Sequence, residues 1–317
     1  MEPADPSPAL RPLGLGEILD RAVTLTVRRF PFFAAIYVLF QLPYAFAQYE
    51  FNRGALPMLS DLVRTGGRPS DPARVQAILA ESHVGPMLAV VVVIAMLFGP
   101  LVFAALVYAV SATYLGKNPS YERAIRAGVG RWLPLLGVYL LAFAAAFLIY
   151  VLLALLGGIV LVGVASLAAA SKGLAIAIGF IAGTVFFLAL FALVLLAIVV
   201  VQLASFICIV EAVAAPSALG LAVARVRTTI GIRRSLRFGA IYLLIAIGGA
   251  LVSALGSTAL IALVRSTALA LAFASLVSIA MAIFLCTVVA IYYFDLRVRE
   301  EGLDLALAAE ALAQTAS

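Results

Sequence analysis

Side chains able to do catalytic chemistry are scarce in this sequence. There is one histidine, His83, and the two cysteines are Cys208 and Cys286. The 15 Asp and Glu are scattered along the chain. Hydrolytic, phosphoryl-transfer and metal chemistry need fixed spacings such as HExxH, GxSxG, a Walker loop or clustered carboxylates. None of these patterns occurs. Both cysteines lie inside apolar runs, where they pack as small hydrophobes and neither bridge nor ligate. The expectation is therefore no catalytic residue, no metal and no cofactor. The acids nearest the apolar runs are Asp20, Glu211 and Asp295, each close to arginines. Asp20 with Arg21, Asp295 with Arg297, and Glu211 with the basic segment that follows it are expected as interfacial ion pairs that orient helices. The polar residues inside the runs are uncharged: Gln41, Gln48 and Gln202, with Pro43 and Gly99-Pro100 as points of bending. Two roles fit the glutamines, lining a cavity or bonding a neighbouring helix.

The elements that hold these residues follow from composition. Apolar residues make up 65% of the 317-residue chain and charged residues 11%. A soluble domain averages about 45–50% and about 25%, so the solvent here is a bilayer. Crossing ~30 Å of hydrocarbon at 1.5 Å per residue takes roughly 20 apolar residues. Six uncharged stretches qualify: Phe30–Gln48, Met87–Leu115, Trp132–Ala169, Leu174–Val210, Phe238–Val264 and Thr267–Phe294. The third and fourth are long enough to require tilt, a kink or projection beyond the membrane, with Gly157-Gly158 as the bend in the third. The charged start, Met1–Arg29, lacks the apolar core of a cleaved leader, so the first run is expected to stay in place.

The formal charge of +6 comes from basic residues between spans, without the clustering or stacking aromatics of a nucleic-acid surface. Fifteen of the 21 Lys and Arg fall on one side of the six-span arrangement, which predicts both termini in the cytoplasm. The arginine-rich usage, with Lys117 and Lys172 the only lysines, together with abundant alanine suggests a GC-rich bacterial genome, and the location expected is the bacterial inner membrane. In the loop between the first two spans, Ser70-Asp71-Pro72 followed by Ala73–Ala80 predicts a short capped helix on the outside.

Three segments on the basic side look alike. Each opens near a proline (Pro12, Pro119, Pro216), continues with apolar residues at helical spacing, and enters a span. Leu15, Ile18, Leu19, Ala22 and Leu25 form such a stripe, as do Tyr121, Ile125, Val129 and Trp132, and Leu219, Ala222, Val223, Val226 and Ile230. The fold expected is all-α, six transmembrane helices, arranged as three parallel repeats of one amphipathic interfacial helix plus two spans. The repeats cover residues 12–115, 119–210 and 216–295 of a single membrane domain, with a tail at 296–317. Arg28, Arg29, Arg131, Arg233, Arg234 and Arg237 then form a collar that meets anionic headgroups, at about 1 kcal/mol per basic residue. Small residues at helical spacing, Gly179/Gly183, Gly249/Ser253 and Ala274/Ser278/Ala282, suit close helix packing, with a membrane protein partner or by self-association.

Four stretches together resemble a known family. They are Arg11–Ala22 (RPLGLGEILDRA), Ser120–Trp132, Glu211–Phe238 and Tyr292–Arg299 (YYFDLRVR). In order and character they are similar to the bacterial glycerophosphoryl diester phosphodiesterase membrane domain family, over most of the chain. In fused members of that family a separate phosphodiesterase domain supplies paired histidines and metal-binding carboxylates. With one histidine, this chain does not encode that hydrolase. The resemblance implies a stand-alone membrane module. The function expected is thus non-catalytic: scaffolding or regulating a partner, or engaging membrane lipid. The alternative is a transporter or channel for a lipid or an uncharged solute, which a polar cavity lined by Gln41, Gln48 or Gln202 would favour.

Overall fold

The structure, a computed structural model, describes residues 11–64, 84–227 and 229–302. The helix expected at residues 70–80, His83, and the tail from 303 to 317 lie outside them. Among the described residues the chain is helical and has no strand. The helices are α1 (Leu15–Arg64), α2 (Val84–Tyr114), α3 (Tyr121–Ala170), α4 (Lys172–Val210), α5 (Ala215–Arg227), α6 (Thr229–Val264) and α7 (Thr267–Glu301). Six segments are long and apolar enough to cross a membrane: Leu15–Leu39, Pro86–Tyr114, Tyr121–Ser166, Lys172–Val210, Gly231–Val264 and Ala268–Glu301. The chain is an all-α, multi-pass membrane protein.

The sequence marks the helix ends chemically. The Glu17 carboxylate, in the first turn of α1, accepts the Gly14 N–H at 2.9 Å, which satisfies a donor the helix cannot. Ser120, Ser171 and Ser266 accept backbone N–H groups from Arg123, Leu174 and Leu269 at 3.3–3.4 Å, in the N-cap arrangement. After α2, α4, α6 and α7 the chain turns through a left-handed residue: Gly116, Ala212, Arg265 and Gly302. Ala212 and Arg265 adopt this conformation with a Cβ, at φ 59° and 54°.

Two of the basic segments differ from the separate interfacial helices expected. Residues 15–29 are continuous with the rest of α1, and residues 121–131 with the rest of α3. Pro134 lies inside α3, where the helix runs on. Lipid supplies no water to a broken backbone, so a membrane helix gains by continuing past a proline. Only the third basic segment yields a helix of its own, the 13-residue α5, which buries Ala215, Ala218, Ala222 and Val226.

The chain divides into two compact units, residues 1–132 with 247–292, and residues 133–246 with 293–317. In the first, α1 packs on α2. The first turns of α3 press on α2 at Gly128, where a Cβ would lie 3.0 Å from the Leu101 carbonyl oxygen. Trp132 donates its indole N–H to the Leu97 carbonyl at 2.7 Å, beside Pro100 within α2. The end of α6 meets α7 closely at Gly249 and Gly256, against Met281 and Phe273.

In the second unit α4 packs on α5. At Gly239 of α6 an added Cβ would lie 2.9 Å from the Leu195 carbonyl oxygen of α4, a backbone contact only glycine permits. Of the expected Gly179/Gly183 ridge, Gly179 meets Val164 whereas Gly183 faces open space. Large apolar residues of α3 and α4, such as Phe143 and Phe180, are exposed. These are the surfaces that hydrocarbon covers.

Candidate functional site

Two features gather polar groups, one in each unit. In the first unit a cavity of about 770 Å³ opens between α1, α2, α6 and α7. The α1 wall carries Tyr37, Gln41, Tyr44 and Gln48. They recur at i, i+4, i+7 and i+11, the spacing that aligns side chains on one helix face, over about 16 Å. Opposite stand Ser253 of α6 and Ser275 and Ser278 of α7, with Ala95 and Gly99 of α2 completing the wall. A Cβ on Gly99 would meet nothing within 4 Å, so this glycine leaves space that the cavity uses. Val38 and Leu42 form an apolar margin and are exposed, as are Gln48, Ser275 and Ser278. The cavity is therefore a groove with an open side.

No lining residue is charged. Among the described residues, no side-chain hydrogen bond joins Tyr37, Gln41, Tyr44, Gln48, Ser275 or Ser278 to the protein. An amide or hydroxyl without a partner in an apolar medium is costly. This row of donors and acceptors contributes nothing to the fold's own hydrogen bonding. Close packing on either side of Ser253, at Gly249 and Gly256, holds α6 against α7. Ser257 adds bonds to the Ser253 carbonyl at 2.5 Å and the Ala270 carbonyl at 3.4 Å.

In the second unit charge concentrates around the end of α7. The Glu211 carboxylate accepts the Tyr293 hydroxyl at 2.6 Å and an Arg225 N–H at 2.9 Å. Arg225 also binds Glu301, which takes an N–H from Arg297 at 2.7 Å. The guanidiniums of Arg225 and Arg297 lie 5.8 and 5.9 Å from the centre of the Tyr293 ring. Burial opposes charge on Glu211, but the Tyr293 hydroxyl and Arg225 outweigh it and hold the carboxyl below its ordinary value. Burial likewise opposes the Arg225 charge, and the bond and charge of Glu211 more than offset it. Asp295 is fully buried between Arg234 and Arg299, whose Nε lies 3.2 Å from both carboxylate oxygens.

Of the expected ion pairs, Glu211 meets an arginine of the following segment, Arg225. Asp295 binds Arg234 and Arg299, while Arg297 reaches the other way to Glu301. Asp20 and Arg21 form no pair among the described residues. Adjacent helical side chains diverge by about 100°, and Asp20 faces out while Arg21 turns toward the protein. The expected collar divides. Arg28, Arg29, Arg233 and Arg237 are exposed and Arg131 is half-buried. Arg29 binds the Asn118 side chain at 2.9 Å. Arg234 belongs instead to the buried network.

The glutamines also divide. Gln41 and Gln48 line the groove, whereas Gln202 donates to the Tyr242 hydroxyl at 2.9 Å in the second unit. Tyr37, Tyr44 and Ser275 are not marked by the sequence analysis, although the four-residue polar stripe on α1 is periodic enough to reveal the two tyrosines; Ser253 and Ser278 are marked there as small packing residues, and in the structure they also line the groove. Cys208 and Cys286 are both buried, with no disulfide between them. Among the described residues no three His, Cys, Asp or Glu side chains gather to hold a metal ion. No family model, curated protein or solved structure matches the chain.

Proposed function

We propose that this chain is a non-catalytic module of the bacterial inner membrane that engages lipid, with both termini on the cytoplasmic side. The observation that carries the reading is the groove of the first unit. It places unpaired, uncharged polar side chains among apolar spans and opens past Val38 and Leu42. An amphiphile satisfies both parts at once, its polar group on the stripe and its chain along the apolar margin. The exposed Arg233 and Arg237, four residues apart on α6, supply a second contact suited to anionic headgroups. The resemblance of the opening and closing motifs to the phosphodiesterase membrane domain family supports a membrane module, and a protein partner on its small-residue faces is compatible with it.

The test is the lipid that remains with the purified protein. Extraction into native nanodiscs followed by lipid analysis should find tightly held lipid in the wild type. Replacing Gln41 and Gln48 by leucine should remove it. Equal lipid in both proteins would refute the groove as its location.

The same groove supports a second reading, a carrier for a lipid or uncharged solute. Proteoliposomes that move such a molecule across the bilayer, with flux lost in the double leucine variant, would favour transport over a static module.

A further inference from the structure

We infer that the groove of the first unit receives the uncharged, polyhydroxylated headgroup of a membrane lipid, such as the sugar of a glycosylated lipid. The inference rests on the groove's being a lipid site and goes further by naming the headgroup.

Charge excludes the common alternatives first. A phosphate or carboxylate on the stripe would sit among apolar spans with no Lys or Arg in the lining, and an ammonium would find no Asp or Glu. Burying an ion without a partner costs far more than burying a neutral polar group.

The donor set then selects among neutral ligands. Gln41 and Gln48 each offer an amide with two donors and a carbonyl acceptor, and Tyr37 and Tyr44 each offer a hydroxyl that donates and accepts. Ser275 and Ser278 add hydroxyls from the facing wall. A lone hydroxyl, as on diacylglycerol, would engage one or two of these groups and leave the rest unpaired. A ring of neighbouring hydroxyls engages both walls. The alternation of tyrosine and glutamine matters as well. An aromatic face presents negative charge to the polarised C–H groups of a sugar ring, while the adjoining amides take its hydroxyls. The stripe extends about 16 Å, longer than a single glycerol needs. The groove volume, about 770 Å³, holds a headgroup of that kind. Val38 and Leu42 at the open margin provide a path for acyl chains.

The experiment uses the full-length protein extracted in an amine-oxide detergent, so that no sugar detergent competes. In phosphatidylcholine nanodiscs it is titrated with monoglucosyl-diacylglycerol, diacylglycerol, phosphatidylglycerol and free maltose, and bound ligand is read by native mass spectrometry. The wild type should bind the glucosyl lipid at least tenfold more tightly than the other three. The Gln41→Leu/Gln48→Leu protein should lose at least tenfold in glucosyl-lipid affinity while melting no lower than the wild type. Ser275→Ala/Ser278→Ala should weaken the same ligand from the opposite wall without disturbing the α1 stripe.

Diacylglycerol binding as tightly as the glucosyl lipid would overturn the headgroup assignment but leave the lipid groove standing. Binding of no lipid that the leucine variant alters would overturn both. Free maltose binding as tightly as the glucosyl lipid would show a soluble polyol to be the ligand, and overturn the lipid-borne assignment.

Discussion

Asp295 is the residue whose loss the fold should feel most. Its side chain is fully buried, while those of its partners Arg234 and Arg299 are 17% and 35% exposed. Asp295→Ala removes the anion that bridges the two guanidiniums. Breaking a buried ion pair by removing one partner costs about 3–5 kcal/mol, because the remaining charge stays buried. Arg299 is a third exposed and can turn toward water, so the lower end, about 3 kcal/mol, is the expected cost. At about 2–4 °C per kcal/mol for a chain of a few hundred residues, the melting temperature should fall by roughly 6–12 °C. Heating the detergent-solubilised protein and measuring the surviving monodisperse fraction by fluorescence-detected size exclusion reads this directly. The matched control is Asp295→Leu/Arg234→Met, which replaces the pair with apolar groups and should recover a large part of the loss. A single variant within about 1 kcal/mol of wild type would refute the reasoning, as would a double variant that loses the full sum of the two single changes.

Ala212 carries a Cβ at a positive φ of 59° immediately after Glu211. Ala212→Gly should therefore raise stability by about 1 kcal/mol in the same heating assay, since only the alanine is strained there. Arg233→Gln/Arg237→Gln should reduce retention of anionic lipid without lowering the melting temperature, whereas Arg234→Gln should do the reverse, because Arg234 is committed to Asp295. Stability should also fall in acid. The folded value of Glu211 is depressed below its ordinary 4.5, so its contribution is complete above that pH and disappears as pH falls through the folded value. A pH series of melting curves on wild type and Glu211→Gln checks this, the variant showing the shallower decline below pH 4.5.

The membrane class was legible because spanning a bilayer imposes a length and an apolarity that few other structures share. Interior detail was legible only where a residue type was rare in its setting. A glutamine in an apolar run stands out, which is why Gln41 and Gln48 drew notice before Tyr37, Ser275 or Ser278. The same signal left two roles open for Gln202, and the structure gives it the second, a bond to a neighbouring helix through Tyr242, 40 residues away. Local sequence carries no record of such a pairing. The three arginines of α6 show the same boundary. Helical geometry puts Arg233 and Arg237 on one face and Arg234 about 100° round from Arg233. Nothing local identified which face met a carboxylate 61 residues on. An opening proline and an amphipathic spacing predict separate surface helices for the basic segments, but no residue between segment and span obliges α1 or α3 to break.

Occupancy of the groove by lipid is tested most directly at Gly99. It lines the groove, and a Cβ there meets nothing within 4 Å, so a leucine grows into the cavity with no clash at its base. Tightly bound lipid per protein, counted by native mass spectrometry, should be at least one in the wild type and near zero in Gly99→Leu, with the melting temperature unchanged or higher. Lipid retained undiminished beside a filled groove would contradict the groove as the lipid site.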